Sequence, residues 1–160
     1  MYQIMIGVDG SEAALHAVRH GLRLLQAGLQ GKITLVEVQR EASLLELVTQ
    51  DADAIAQAAV QAGRHLMEPA AALLEAAAVP YEMEVVLGEP GAMLQEMAEN
   101  LEADLVIVGA RGMGAIKSAW LGSVSQRLLQ HCSKPVVVVK PPQEDGAAAE
   151  AAAIDGGHAA

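Results

Sequence analysis

A glycine-rich stretch with the sequence GARGMGAIKSAWLGS runs from Gly109 to Ser123, directly after the apolar run DLVIV. Glycine in an ordered element costs about 0.5–1 kcal/mol relative to alanine, so such a stretch indicates unusual dihedral angles or a close backbone approach. We expect Gly109 and Gly112 to let backbone amides approach a phosphate. Gly122 and Ser123 then open a helix whose free N–H groups and dipole attract an anion.

A second turn, VDGS, follows the first apolar run and places Asp9 at its end. A carboxylate there can accept hydrogen bonds from a ribose or help to hold a divalent ion, while the hydroxyls of Ser123 and Ser125 add donors opposite it. Ligands of open parallel sheets bind outside the carboxyl ends of the strands. If the first and fourth strands are neighbours, the two turns face each other across one crevice.

The elements that carry these turns alternate between strand and helix. Apolar runs predict strands at residues 2–9, 32–38, 81–87, 104–108 and 135–139. Helical spacing predicts helices after Ser11, over 51–78 with Pro69 kinking or dividing it, from Pro90 and over about 123–132. This alternation predicts an α/β fold with an open five-stranded parallel sheet of order 3-2-1-4-5 and helices on both faces. The third strand alternates apolar and acidic residues, which is typical of an edge, and residues 39–50 give no clear pattern.

The composition limits the class of protein. With 160 residues, the chain suits one domain, which we place at 1–140, and the Ala, Gly, Pro and acid content of 141–160 predicts a disordered tail. A net charge of −10 argues against nucleic acid as a partner. One cysteine, Cys132, excludes an intrachain disulfide, and no signal peptide or membrane-length apolar run is apparent. We therefore expect a cytoplasmic protein that does not enter a membrane.

The spacing Gly109, Gly112, then nine residues, then Gly122-Ser123 resembles the G-x2-G-x9-G-(S/T) pattern of ATP-binding members of the universal stress protein family. The resemblance includes IMIGVDGSE, GEPGAMLQEMAENLEADLVIVGARG and GSVSQRLLQHCSKPVVVVK, and covers about residues 2–140. It implies a fold like that of the adenine nucleotide α-hydrolases, a bound ATP or other adenine nucleotide with Mg²⁺ or Mn²⁺, and a homodimer.

The resemblance also implies roles for single residues. Val8 would line the base pocket, Val38 would contact adenine through its backbone, and Asp9 would meet the ribose or the phosphates with their metal ion. The residues implied to surround the ribose and phosphates are Val108, Gly109, Arg111, Gly112, Gly122, Ser123, Val124 and Ser125.

The sequence favours a nucleotide-dependent stress-response or signalling module over an enzyme. It lacks the GxxxxGK(S/T) motif of NTPases, an HxGH after the first strand and an SGGxDS, and no general base accompanies the loop, so we name no catalytic residue. Two alternatives stay open. One is slow ATP hydrolysis or autophosphorylation with Ser123 or Ser125 near the phosphates, and the other is a scaffold with an empty crevice.

The last predicted strand, PVVVVK, lies at a sheet edge in the order 3-2-1-4-5. An apolar edge invites pairing with another chain. We expect a two-fold homodimer in which the strand containing Val136, Val137, Val138 and Val139 pairs antiparallel with its copy, and the family resemblance implies the same arrangement.

Overall fold

The computed structural model describes residues 1–42, 51–112 and 121–142. Five strands and four helices alternate within these ranges. The strands are β1 (Tyr2–Gly7), β2 (Gly31–Gln39), β3 (Tyr81–Leu87), β4 (Leu105–Gly109) and β5 (Val136–Val139). The helices are α1 (Glu12–Gln26), α2 (Ala52–Ala76), α3 (Pro90–Asn100) and α4 (Ser123–His131).

The strands form one parallel sheet in the order β3-β2-β1-β4-β5. The predicted fold class and strand order are therefore confirmed. The chain reverses its direction of winding between β1 and β4, because β2 and β3 lie on one side of β1 while β4 and β5 lie on the other. This switch point brings the turn after β1 next to the loop after β4.

Alternate residues of the central strands supply two separate cores. On one face Ile6, Leu35 and Ile107 pack beneath α1 and α2, with Met67 and Leu74 of α2 fully buried. On the other face Met5, Val36 and Val106 pack beneath α3 and α4. Both faces of the sheet are covered, which explains the near-continuous apolar runs of β1 and β4.

Several sequence expectations need adjustment. The long helix is not divided at Pro69, because α2 is one helix from Ala52 to Ala76 that contains this proline. Pro90 stands in the first turn of α3 as predicted, where a missing N–H breaks no helical hydrogen bond. β3 is an edge strand without a fully buried residue, as its alternating sequence predicts. The strand ends shift by one or two residues.

Three expectations fall wholly or largely outside the described residues. They are the ambiguous segment from 43 to 50, the spacer of the glycine pattern from 113 to 120, and the predicted tail from 143 onward. Among the described helices, none is both long enough and apolar enough to cross a membrane.

Candidate functional site

A cleft of about 470 Å³ opens at the carboxyl ends of β1, β2 and β4. Its volume is in the range of small-molecule sites, about 300–1,000 Å³. All eleven residues that the sequence predicts as binding residues line it: Val8, Asp9, Val38, Val108, Gly109, Arg111, Gly112, Gly122, Ser123, Val124 and Ser125. The strand order brings these residues together, since they come from four separate parts of the chain, at 8–9, 38, 108–112 and 122–125.

The turn after β1 holds Asp9 at the cleft. Its Oδ1 accepts a hydrogen bond from the backbone N–H of Ser11 at 3.0 Å, and the Ser11 hydroxyl in turn accepts from the N–H of Ala14 at 3.2 Å. Ser11 is thereby the N-cap of α1. The capping chain fixes the Asp9 carboxylate at the edge of the site.

The loop after β4 contacts the β1 turn directly. A Cβ atom on Gly112 would lie 2.5 Å from Oδ2 of Asp9, so glycine is needed here to let the loop approach the carboxylate. Glycine at position 109 is explained by a different contact. A Cβ atom there would lie 2.7 Å from the backbone carbon and oxygen of Ala13 in α1. Glycine at 109 therefore allows α1 to pack on β4, and the sequence argument, which assigned it to phosphate approach, missed this contact.

The two ends of the glycine loop are joined at the start of α4. The N–H of Gly122 donates to the carbonyl of Ala110 at 2.7 Å, and the buried Ser125 hydroxyl lies 3.0 Å from the carbonyl oxygens of both Ala110 and Gly122. The Gly122 amide and the Ser125 hydroxyl thus serve the loop itself. The backbone amides and the Ser123 hydroxyl remain as the candidate donors to a ligand.

The first turn of α4 faces the cleft without a side-chain cap, because its N-cap is Gly122. The helical hydrogen bonds begin with Gln126 N–H donating to Gly122 O at 3.1 Å, so the amides of Ser123 and Val124 precede the ladder. Helices α1 and α3 differ, since Ser11 and Glu89 cap them with their side chains. The α4 N-terminus is therefore a candidate anion site on the cleft wall.

The rest of the cleft wall combines apolar and polar residues. It is lined by Val8 and Val38 together with residues that were not predicted as site residues: Gly7, Ser11, Ala14, Val36, Glu37, Arg40, Pro90 and Leu94. Leu94 and Pro90 reach the cleft from α3, which packs across β2 and β1, so only tertiary structure could identify them. Ser11 was predicted from the DGS turn as the N-cap of the first helix, which is confirmed, but it was not predicted to line the cleft.

Charges at the rim surround the N-terminus of α3. Glu89 accepts hydrogen bonds from the N–H groups of Ala92 at 2.7 Å and Gly91 at 3.2 Å. The bond from Ala92 lowers the pKa of Glu89, and the bond from Gly91 and the charges of Arg127 and Arg40 act in the same direction. Glu89 is therefore ionised at neutral pH and offsets part of the positive charge of Arg40 at this rim.

The model of the universal stress protein family matches residues 1–140. Several relatives extend over most of the chain, and two of them serve as examples. The universal stress protein MJ0531 of Methanocaldococcus jannaschii is 25% identical over 144 residues, covering 89% of this chain and 84% of that protein. The universal stress protein YxiE of Bacillus subtilis is 27% identical over 146 residues, covering 86% and 98%.

Solved structures share the fold. The structure of MJ0577, also from M. jannaschii, superposes with a TM-score of 0.77 at 24% identity and covers 89% of this chain and 98% of its own. A family member from Arabidopsis thaliana with AMP bound gives 0.64 at 20% identity, covering 91% and 95%. A universal stress protein in complex with cAMP gives 0.61 at 24% identity, covering 86% and 95%.

Proposed function

The chain belongs to the universal stress protein family, and on that premise we propose that its cleft binds an adenine nucleotide, with ATP as the first candidate. The observation that carries the proposal is the convergence of all eleven predicted residues on one cleft with an uncapped helix N-terminus. The structural relatives with AMP and with cAMP support the ligand class.

The two ends of the cleft suggest how the nucleotide lies. Its phosphates face the amides of Ser123 and Val124, where the helix dipole favours negative charge. Its base lies against the apolar side chains of Val8 and Val38, with the backbone of β2 available for hydrogen bonds. The ribose then lies near Asp9, between the two ends.

We propose Mg²⁺ or Mn²⁺ as a companion of the phosphates rather than as a resident ion. Among the described residues, no group of three or more His, Cys, Asp or Glu side chains could hold a metal ion. A single carboxylate with substrate phosphates and water is nevertheless a common magnesium environment. Asp9 is the cleft carboxylate placed to supply it, because its Oδ2 faces the glycine loop at Gly112.

Nucleotide occupancy would act as a signal in the stress response, in the cytoplasm. No general base for rapid hydrolysis was identified in the sequence, and the Ser125 hydroxyl is already directed at loop carbonyls. Slow turnover or autophosphorylation at Ser123 is the remaining enzymatic alternative.

We also propose that the protein is a homodimer through β5. This strand lies at the open edge of the sheet, opposite β3. A second copy that pairs antiparallel would cover the β5 edge of each subunit through one two-fold axis.

Titration calorimetry with ATP, AMP and cAMP, each with and without Mg²⁺, tests the nucleotide proposal. We expect saturable binding of at least one adenine nucleotide and a rise in the melting temperature at millimolar concentration. GTP serves as the comparison for base selectivity. The absence of both heat and thermal stabilisation with all three adenine nucleotides would contradict the proposal, and mass spectrometry of the purified protein would identify a nucleotide carried through purification.

A further inference from the structure

Glu37 is an acid within the otherwise apolar centre of β2, and its side chain is only 3% exposed. Its Oε1 accepts a hydrogen bond from Nε2 of Gln39 at 2.9 Å. Its Oε2 is buried and, within the described part of the chain, has no hydrogen-bond partner. A buried carboxylate with an unsatisfied oxygen is costly, whereas the neutral acid is far less so.

The same side chain lies where α2 comes closest to the sheet. A Cβ atom on Gly63 of α2 would stand 2.5 Å from Oε2 of Glu37 and 2.6 Å from Cγ1 of Val85. The glycine therefore lets the helix rest directly on the carboxyl group. Because Oε2 is buried, the described residues offer an ionised Glu37 no partner at this contact.

The helix also contacts the Asp9 turn. Leu66 lies three residues after Gly63, on the same side of α2, and a Cβ atom on Gly10 would be 2.8 Å from its Cδ2. Gly10 has a φ of +80°, which favours glycine independently. Two tight contacts thus connect α2 to the cleft, one at Glu37 and one at the turn that carries Asp9.

We propose that Glu37 is a positioning residue that links the packing of α2 and the binding of an anion in the cleft to a proton. Its neutral form holds α2 against the sheet and admits an anionic ligand beside Asp9. Its ionised form weakens the packing of α2 and the binding of the anion. The half of this proposal that concerns the ligand rests on the proposed nucleotide binding. The half that concerns α2 does not.

The surroundings of Glu37 determine how the stability changes with pH. Burial raises the pKa of Glu37 above its ordinary value, and the negative charge of Asp9 adds to the increase, while the hydrogen bond from Gln39 opposes it. The groups that face it from α2 and β3, Gly63 and Val85, carry no charge. The pKa of Glu37 is higher in the folded than in the unfolded protein. The contribution of the neutral Glu37 to stability is therefore fully present below the unfolded pKa of about 4.3 and is lost as the pH rises through the folded pKa.

A bound nucleotide adds negative charge beside Asp9 and therefore raises the pKa of Glu37 further. Binding then takes up a proton, and the affinity decreases as the pH rises. Glu37→Gln keeps the shape and the acceptor for Gln39 but cannot ionise. Glu84→Gln makes the same substitution at an exposed position of β3 and is the matched control.

Thermal unfolding without ligand, between about pH 4 and about pH 8.5, tests the first half. As the pH rises, the parent and Glu84→Gln should lose melting temperature relative to Glu37→Gln. The loss should be about 3–5 °C for each unit by which the pKa of Glu37 in the folded protein exceeds its pKa in the unfolded protein. Hydrogen exchange of the parent should show lower protection factors, that is, exchange rates relative to the intrinsic rate at each pH, for the α2 amides near Gly63 at high pH. Identical pH profiles for the parent and Glu37→Gln would overturn the proposal, and if the variant does not fold, pH-independent protection factors in α2 of the parent would do so.

Titration with AMP in EDTA, over the same pH range, tests the second half without a metal ion. The affinity of Glu37→Gln relative to the parent should increase by about tenfold for a one-unit difference in pKa between free and bound protein. The phosphate of AMP titrates identically in both experiments and cancels. A constant ratio would overturn the link to ligand binding. If AMP binds neither protein at any pH, the nucleotide proposal loses its support from AMP, and the unfolding experiment still decides the role of Glu37.

Discussion

At the scale of single residues, a substitution of Gly122 can distinguish the stability of α4 from the proposed binding of an anion at its N-terminus. Its φ of −73° and ψ of 165° suit any residue, and a Cβ atom there would have no neighbour closer than 3.5 Å. Gly122→Asp places a carboxylate at the N-cap, where it accepts the first amides and complements the dipole. We expect the variant to be as stable as the parent or more stable by about 0.5–1 kcal/mol.

The same substitution should abolish nucleotide binding, because the carboxylate occupies the amides and repels the phosphates. Calorimetry with ATP and denaturant unfolding measure the two effects on one protein. Gly122→Ala, which adds a side chain without charge or acceptor, is the control and should weaken binding less. A Gly122→Asp variant that binds ATP like the parent would show that the phosphates lie elsewhere.

What sequence could predict at this scale follows from local chemistry. The positions of Asp9 and of the α4 N-terminus at the cleft were predictable. Each belongs to a glycine-containing loop that follows a strand, where parallel sheets bind ligands. The contact of Gly109 with α1 and the burial of Glu37 beneath α2 were not predictable, because both depend on how closely a helix approaches the sheet. The one signal for Glu37 was an acid inside ITLVEV, a pattern that fits a solvent-facing position equally well.

At the scale of elements, the contact of α1 with β4 depends on Gly109. In Gly109→Ala the new Cβ would meet the backbone of Ala13, which cannot rotate away as a side chain can. We expect a loss of about 1–3 kcal/mol in the free energy of unfolding, the usual cost of overpacking. Urea unfolding measures it, with Gly122→Ser as the control, because a Cβ atom at Gly122 would make only ordinary contacts at 3.5 Å or more.

An unchanged stability of Gly109→Ala would mean that α1 moves aside at little cost.

The elements themselves were predictable from the sequence because their periodicity is strong, and the edge position of β3 was visible in its alternating acids. The effect of Pro69 was not, because the proline rule describes an isolated helix. In α2 the burial of Met67, Ala70 and Leu74 on both sides of the proline favours one continuous helix.

At the scale of the whole molecule, the question is what covers the open edge of β5. In a parallel ladder alternate residues of a strand bond to the same neighbour. The carbonyls of Pro135 and Val139 accept from the N–H groups of Val106 and Ala110, so the odd-numbered residues face β4. The N–H and C=O groups of Val136 and Val138 therefore face the open edge.

The valine side chains of β5 are already packed within the subunit. Val137 and Val139 contact the core beneath α1, and Val136 and Val138 contact the core beneath α3 and α4. A charged substitution of these side chains would damage the fold as well as any interface. A test of dimerisation must therefore change the backbone of the edge and leave the two cores in place.

Val138→Pro meets this requirement, because proline removes one outward N–H and is tolerated on edge strands, while the bonds from Val137 and Val139 to β4 remain. We expect the parent to be a dimer by light scattering at micromolar concentration and Val138→Pro to be a monomer with an unchanged circular dichroism spectrum. Val138→Ala keeps the N–H and should stay dimeric, which separates the hydrogen bond from the side chain. A monomeric parent would contradict pairing through β5, and a folded Val138→Pro variant that remains dimeric would move the interface to another surface.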